Sequence, residues 1–264
     1  MITFTSDQLH LWIASFLWPL TRILGVIATT PLFGNISIPP RVKIGLGIML
    51  AIIIAPGVPA MPATDPMSLQ GLLILVQQFI IGAAMGFTIR VVLAAMEMAG
   101  EIIGMTMGLG FATFFDPQTQ GRSPAISQFL ALLALMIYLA SNLHLVVLSV
   151  LADSFVSLPI SAMPITNQPF MIFMGWGGRI FSAGVQLALP IIAALLITNI
   201  ALGILTRAAP QLNLFGIGFP VTICVGFVMI GVALPYMATP LERLFYEGFT
   251  VMRHITSSSL PPIQ

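Results

Sequence analysis

The sequence predicts an all-α, membrane-associated fold, and three observations carry that prediction. Of 264 residues, 58% are hydrophobic and only 6% charged, where an ordinary soluble domain has about 25% charged. The charged residues leave six uncharged runs of at least 21 residues, 44–64, 66–89, 123–152, 154–178, 180–206 and 208–241. Each is long enough to cross a hydrocarbon core of about 30 Å. Within these runs the apolar residues ring all sides instead of forming a stripe, and in lipid only a helix satisfies its own backbone within one segment.

The same composition excludes several functions. Nine Lys plus Arg against eight Asp plus Glu leave a net charge of +1, too little to neutralise a nucleic-acid backbone. The single lysine, Lys43, stands in Val42-Lys43-Ile44 and not in the Gly-Lys-Ser/Thr of a phosphate-cradling loop. Cys224 is the one cysteine, so neither an internal disulfide nor a thiolate metal cluster is expected. His10, His144 and His254 are scattered and read as structural. No cofactor is expected, and no serine sits in the Gly-x-Ser-x-Gly context of a nucleophile.

Trimming the runs at proline, glycine and polar clusters gives six long helices, near 9–30, 42–56, 70–112, 125–151, 171–205 and 213–238. The first lacks a basic leader and is interrupted by Arg22, so it is expected to be retained and not cleaved as a signal peptide. An arginine at the middle of a spanning helix costs about 2.5 to 3.5 kcal/mol on insertion scales. Arg22 therefore needs compensation, by snorkelling, by pairing within the chain or at a subunit interface. The second helix follows Pro39-Pro40 and stops at Pro56-Gly57.

The third helix carries the most informative pattern. Advancing about 100° per residue from Glu97 puts Gly82 and Gly100 at about −60° and Gly86 and Gly104 at about −20°. On the same scale Arg90 and Gly108 fall at about +20° and Glu101 at about +40°. Two small-residue tracks, an arginine and two carboxylates thus share one face of about 100°, which must meet protein or water and reads as a subunit interface or an aqueous path. No nucleophile or ligand cluster accompanies Glu97 and Glu101, so acid/base catalysis is not expected.

After that helix, Met105-Thr-Met107-Gly108-Leu-Gly110-Phe111-Ala-Thr-Phe114-Phe115-Asp116-Pro117 and the polar run to Arg122 break the chain between two apolar stretches. Irregular backbone at membrane depth is tolerated only where protein buries it or it lines a cavity. The phenylalanines therefore suggest a constriction, and the flexible thioethers of Met105 and Met107 suit a pliable seal. The fourth helix follows as one apolar run. Pro190, Pro220 and Pro235 are expected to kink or end the last two helices. These form a hairpin whose polar tip runs from Thr206-Arg207 through Pro210-Gln211 to Asn213. With the N-terminus outside, Arg41, Lys43, Arg90, Arg122 and Arg207 lie inside and Arg179, Arg243 and Arg253 outside, a weak positive-inside vote.

Three ordered motifs, Ile38-Pro-Pro-Arg41-Val-Lys43-Ile-Gly-Leu-Gly, Gly108-Leu-Gly-Phe-Ala-Thr-Phe-Phe-Asp116-Pro117 and Thr206-Arg-Ala-Ala-Pro210-Gln-Leu-Asn213, resemble the flagellar biosynthetic protein FliR family. The likeness covers nearly the whole chain. It implies a subunit of the export gate of the flagellar type III secretion apparatus, in the bacterial inner membrane at the basal body. Such a subunit assembles in one copy with FliP and FliQ, and unfolded flagellar substrates thread through the assembly. The resemblance also implies a FliP-like part over 1–165, a FliQ-like hairpin over 166–264, and a plug loop on the Gly108–Arg122 stretch. FlhB would wrap the tip at Arg207, Pro210, Gln211 and Asn213. Energy would come from the proton-motive force and a separate ATPase, and the helices would sit largely above the bilayer within the basal-body ring. The rival reading is a secondary transporter acting alone or as a homo-oligomer, for which no inverted repeat is evident.

Overall fold

A computed structural model describes residues 6–59, 62, 64–111, 125–161, 167–209 and 214–257. Among them are eight α-helices and no strand: α1 (Ser6–Thr29), α2 (Pro40–Ile54), α3 (Leu69–Thr106), α4 (Ala125–Ala140), α5 (Leu143–Ser157), α6 (Asn167–Gly177), α7 (Arg179–Ala208) and α8 (Phe219–Ser257). The all-α, membrane-type fold is as the sequence predicts. Four helical stretches are long and apolar enough to cross a membrane: Pro40–Gly57, Leu69–Thr106, Met171–Ala208 and Gly216–Ser257. The α4–α5 pair, bent by 66°, makes a fifth if it counts as one span.

Local chemistry sets the boundaries. Pro39 caps α2 in an extended conformation and Pro40 opens it, the position where a missing N–H costs nothing. Before α3, the Met67 amide donates to Asp65 Oδ1 at 2.9 Å and the Gly71 amide to Ser68 Oγ at 3.1 Å. That Asx turn and serine cap satisfy donors the first helical turn leaves open. The sequence expectation of one helix over 125–151 is corrected at Asn142, which takes a left-handed φ of 53° and ends α4. Asparagine tolerates that region because its short polar side chain bonds locally.

Of the two expected effects of the prolines, a kink or an end, the helix end does not occur. Pro190, Pro235 and Pro240 lie inside α7 and α8 and end neither helix. Neighbouring groups can re-satisfy the backbone that an interior proline frees, and α8 accordingly runs on to Ser257, well past 238.

The chain packs as two compact units, and their division does not follow chain order. The first comprises the described residues of 1–91, 142–177 and 245–264, the second those of 92–141 and 178–244. In the first, Trp18, Arg22, Ile23, Ile74, Phe155 and Phe245 are fully buried. In the second, Met96, Ile103, Met107, Leu130, Tyr138 and Leu195 hold the equivalent place.

Candidate functional site

Arg22 is the first anomaly of the sequence and the centre of the first unit. It is 0% exposed, and its partners are neutral. Nε donates to Gln78 Oε1 at 2.7 Å, Nη1 to the Ser154 carbonyl at 2.9 Å and Ser154 Oγ at 3.2 Å, and Nη2 to the Leu158 carbonyl at 2.9 Å. The guanidinium carbon also lies 4.4 Å from the centre of the Phe155 ring. Leu158 is the C-cap of α5, so the cation faces the partial negative charge of a helix C-terminus while the aromatic face adds a cation–π contact. A carboxylate is replaced by a helix end. Arg22, expected at a subunit interface or paired within the chain, is placed inside the chain.

The glycines of α3 form a seam against α1. A Cβ on Gly82 would strike the Arg22 carbonyl oxygen, and one on Gly86 would meet Thr29 Oγ1 and come within 2.7 Å of the Val26 carbonyl oxygen. The two backbones therefore touch, and Thr29 Oγ1 donates across the crossing to the Ala83 carbonyl at 3.0 Å. In lipid, where apolar burial gives no drive, such close approach is what holds helices together. In the second unit a Cβ on Gly100 would collide with Ser127 of α4, whose hydroxyl donates to the Glu97 carbonyl at 2.8 Å. Gly104 is buried as well.

The charges on the same helix behave differently. Arg90, Glu97 and Glu101 are all exposed. The predicted stripe is thus split along its length, with the glycines between about −60° and −20° turned inward and the charges between about 0° and +40° turned outward. That outward face begins apolar, with Leu69, Leu72, Leu73, Val76, Phe79 and Ile80 exposed, and only then becomes charged. Helix α3 has 38 residues, about 57 Å at 1.5 Å per residue. A core of about 30 Å covers little more than half of that.

At the end of α3 the residues expected to form a seal separate. Met105 is 58% exposed. Met107 is buried, and its carbonyl accepts a hydrogen bond from Thr222 Oγ1 at 3.2 Å. Gly108 takes a φ of +86°, and a Cβ there would lie 2.5 Å from the Phe219 ring. A Cβ on Gly226 would lie 2.6 Å from Met107 Cγ. Gly110 and the backbone of Phe111 belong to a short 3₁₀ turn, Leu109–Phe111. Phe114 and Phe115 lie outside the described residues, as do Pro210, Gln211 and Asn213 of the tip. Arg207 is exposed in the last turn of α7, where a cation suits the helix dipole.

Sequence reasoning missed Gln78, Ser154, Phe155 and Leu158 around Arg22, and Phe219, Thr222 and Gly226 around Met107. None carries a motif. The available signal was an unpaired mid-helix arginine in a sequence whose acids are few, which points to carbonyls and amides as partners. Among the described residues no three His, Cys, Asp or Glu side chains gather as a metal ion would require.

Residues 13–248 match the family described as bacterial export proteins, family 1. The chain is similar to the flagellar biosynthetic protein FliR of Pectobacterium carotovorum subsp. carotovorum, at 44% identity over 255 residues covering 97% of each chain. It is 42% identical over 257 residues to FliR of Escherichia coli (strain K12), covering 97% of this chain and 98% of that one. To FliR of Bacillus subtilis (strain 168) it is 30% identical over 244 residues, covering 91% and 94%.

Proposed function

The chain belongs to the flagellar biosynthetic protein FliR family of bacterial export proteins, and from that membership we propose that it is one subunit of a flagellar export gate in the inner membrane. In this reading it assembles in a single copy with FliP and FliQ, its FliP-like part over 1–165 and its FliQ-like hairpin over 166–264, into the channel that unfolded flagellar proteins traverse. FlhB contacts the tip at Arg207–Asn213. Phe111, Phe114 and Phe115, with Met105 and Met107 at their root, narrow the path.

The observation that carries this reading is the outward face of α3. Its first half is bare hydrocarbon and its second half presents Arg90, Glu97 and Glu101. Lipid accepts the first and rejects the second, so the charged half meets protein or water, and in this reading it meets the sister subunits. The surrounding helices fit a chain built to be covered. Only 11% of the Pro40–Gly57 span and 22% of the most apolar 18-residue stretch within Met171–Ala208 are buried within the chain. A bare apolar face on this scale marks a membrane or partner surface.

Native mass spectrometry of the tagged chain tests the reading, after mild detergent extraction from cells expressing it with FliP and FliQ and, separately, alone. One copy within a large hetero-oligomer is the expected result. A monomer or homodimer in both preparations transfers the chain to the transporter reading.

A further inference from the structure

Helix α2 is divided lengthwise into two halves. With Val42 at zero and about 100° per residue, the exposed Ile44, Ile48, Ile52, Met49, Val42 and Ile53 fall between about −160° and +20°. Every residue on the other half is buried or half-buried. Gly47 and Ala51 are the buried pair there, and a Cβ on Gly47 would lie 2.7 Å from Leu24 Cδ2 of α1. These small residues are thus spent on a contact within the chain. The outward half holds bulky aliphatic side chains and Gly45, whose Cβ position faces open space. Arg41 is exposed as well, and at about −100° it stands near the middle of that half, at its N-terminal end. Between Asp7 and Asp65 the sequence has no acid, and the neighbouring Lys43 donates from Nζ to the Gly34 carbonyl at 3.1 Å.

We propose that the outward half of α2 binds an anionic phospholipid, with acyl chains along Ile44, Ile48 and Ile52 and the phosphate on the Arg41 guanidinium. Three properties favour lipid over a protein partner. Helices that pack on helices in a membrane bring small residues to the contact so that backbones approach, as Gly82 and Gly86 do against α1. The outward half of α2 presents β-branched side chains and a methionine instead, a surface that suits mobile acyl chains. From Arg41 to Ile53 the helix rises about 18 Å at 1.5 Å per residue, against roughly 15 Å for one leaflet of a core of about 30 Å. The cation of this face stands at its end, where headgroups lie, and a guanidinium pairs with phosphate through two parallel hydrogen bonds. This surface is separate from the charged half of α3 and does not depend on the export-gate reading.

The test titrates the purified chain, and separately its assembled complex, in mild detergent with phosphatidylglycerol or phosphatidylcholine of identical acyl chains, and reads bound lipid by native mass spectrometry. Arg41→Gln is expected to weaken phosphatidylglycerol binding about fivefold, the effect of one basic side chain near an anionic headgroup, and to leave phosphatidylcholine binding unchanged. Arg41→Lys is expected to recover most of the loss. An unchanged affinity in Arg41→Gln, or an equal fall for both lipids, overturns the site. So does displacement of the lipid by inorganic phosphate at the same concentration, which marks an anion site without acyl recognition. A preference present in the free chain and lost in the hetero-oligomer assigns the face to a subunit and overturns it too. Should Arg41→Gln yield no protein, the wild-type preference is measured against salt: a fall toward equality with rising ionic strength supports the Arg41 contact, and a salt-independent preference overturns it. Failure of the export-gate reading appears differently, as a wild-type chain that forms no hetero-oligomer at all.

Discussion

Arg22 Nη2 donates to the carbonyl of Leu158 at 2.9 Å, so a buried cation closes the C-terminus of α5 from a helix 136 positions earlier in sequence. The same guanidinium holds Gln78 of α3, and three helices of the first unit meet on one side chain. A cation without a carboxylate is stable here because its hydrogen bonds are satisfied and the helix end supplies negative potential.

Replacing Arg22 by alanine is expected to cost about 3 kcal/mol or more, since it strands two buried carbonyls and the Gln78 amide. Arg22→Lys is expected to recover only part, because an ammonium cannot match the planar fork that reaches Gln78, Ser154 and Leu158 together. Thermal unfolding in detergent measures both. Wild-type stability in Arg22→Ala would remove the side chain from the architecture of this unit.

The glycines predict opposite signs at two positions. Gly82→Val places methyl groups into the α1 backbone and is expected to cost about 1 to 3 kcal/mol through overpacking. Gly203, inside α7, has open space where its Cβ would be, so Gly203→Ala is expected to stabilise the chain by up to about 1 kcal/mol through helix propensity. If the two variants shift the unfolding midpoint alike, the close approach of α1 and α3 is not what discriminates them.

Charge reversal on the outer face of α3 separates insertion from assembly. Glu97→Arg or Arg90→Glu is expected to leave membrane insertion near wild type and to reduce the yield of hetero-oligomer several-fold, as like charges meet at a close interface. Membrane fractionation gives the first quantity and native mass spectrometry the second. Undiminished complex yield would place these side chains in water and outside any subunit contact.

Joint replacement of Phe111, Phe114 and Phe115 by alanine is expected to raise ion leakage through the assembled complex, by widening an apolar constriction that otherwise excludes water. Unchanged conductance in reconstituted vesicles would remove the phenylalanines from the gate.

Much of the fold was legible because charge and proline punctuate an otherwise apolar sequence. The second and third helices, expected near 42–56 and 70–112, occupy Pro40–Ile54 and Leu69–Thr106. Where the reading failed, the physics was non-local or conformational. Asn142 breaks a helix by adopting a left-handed φ with neither glycine nor proline to announce it. The prolines of α7 and α8 lie inside their helices without ending them, as helices in lipid tolerate where neighbouring groups can take up the freed carbonyls.

The site was legible in kind but not in partners. The stripe on α3 was real, yet a helical projection gives angles and not the line along which burial stops. That line runs between Gly86 and Glu97, at about −20° and 0°. Two of the four hydrogen-bond acceptors of Arg22 are backbone carbonyls, which every residue has, so no residue type could signal those. Thr222 against Met107 is a contact 115 positions apart, equally silent in sequence.

The chain-order distance between Arg22 and Leu158 also sets a biosynthetic clock. A ribosome adding about 5 to 20 residues per second needs on the order of 10 s to make the residues between them. For that interval the nascent α1 carries a guanidinium of whose hydrogen-bond partners only Gln78 has been made. Gln78 supplies one acceptor, and the helix end that gives negative potential comes only with Leu158. The full set of contacts around Arg22 therefore forms only after α5 has been translated.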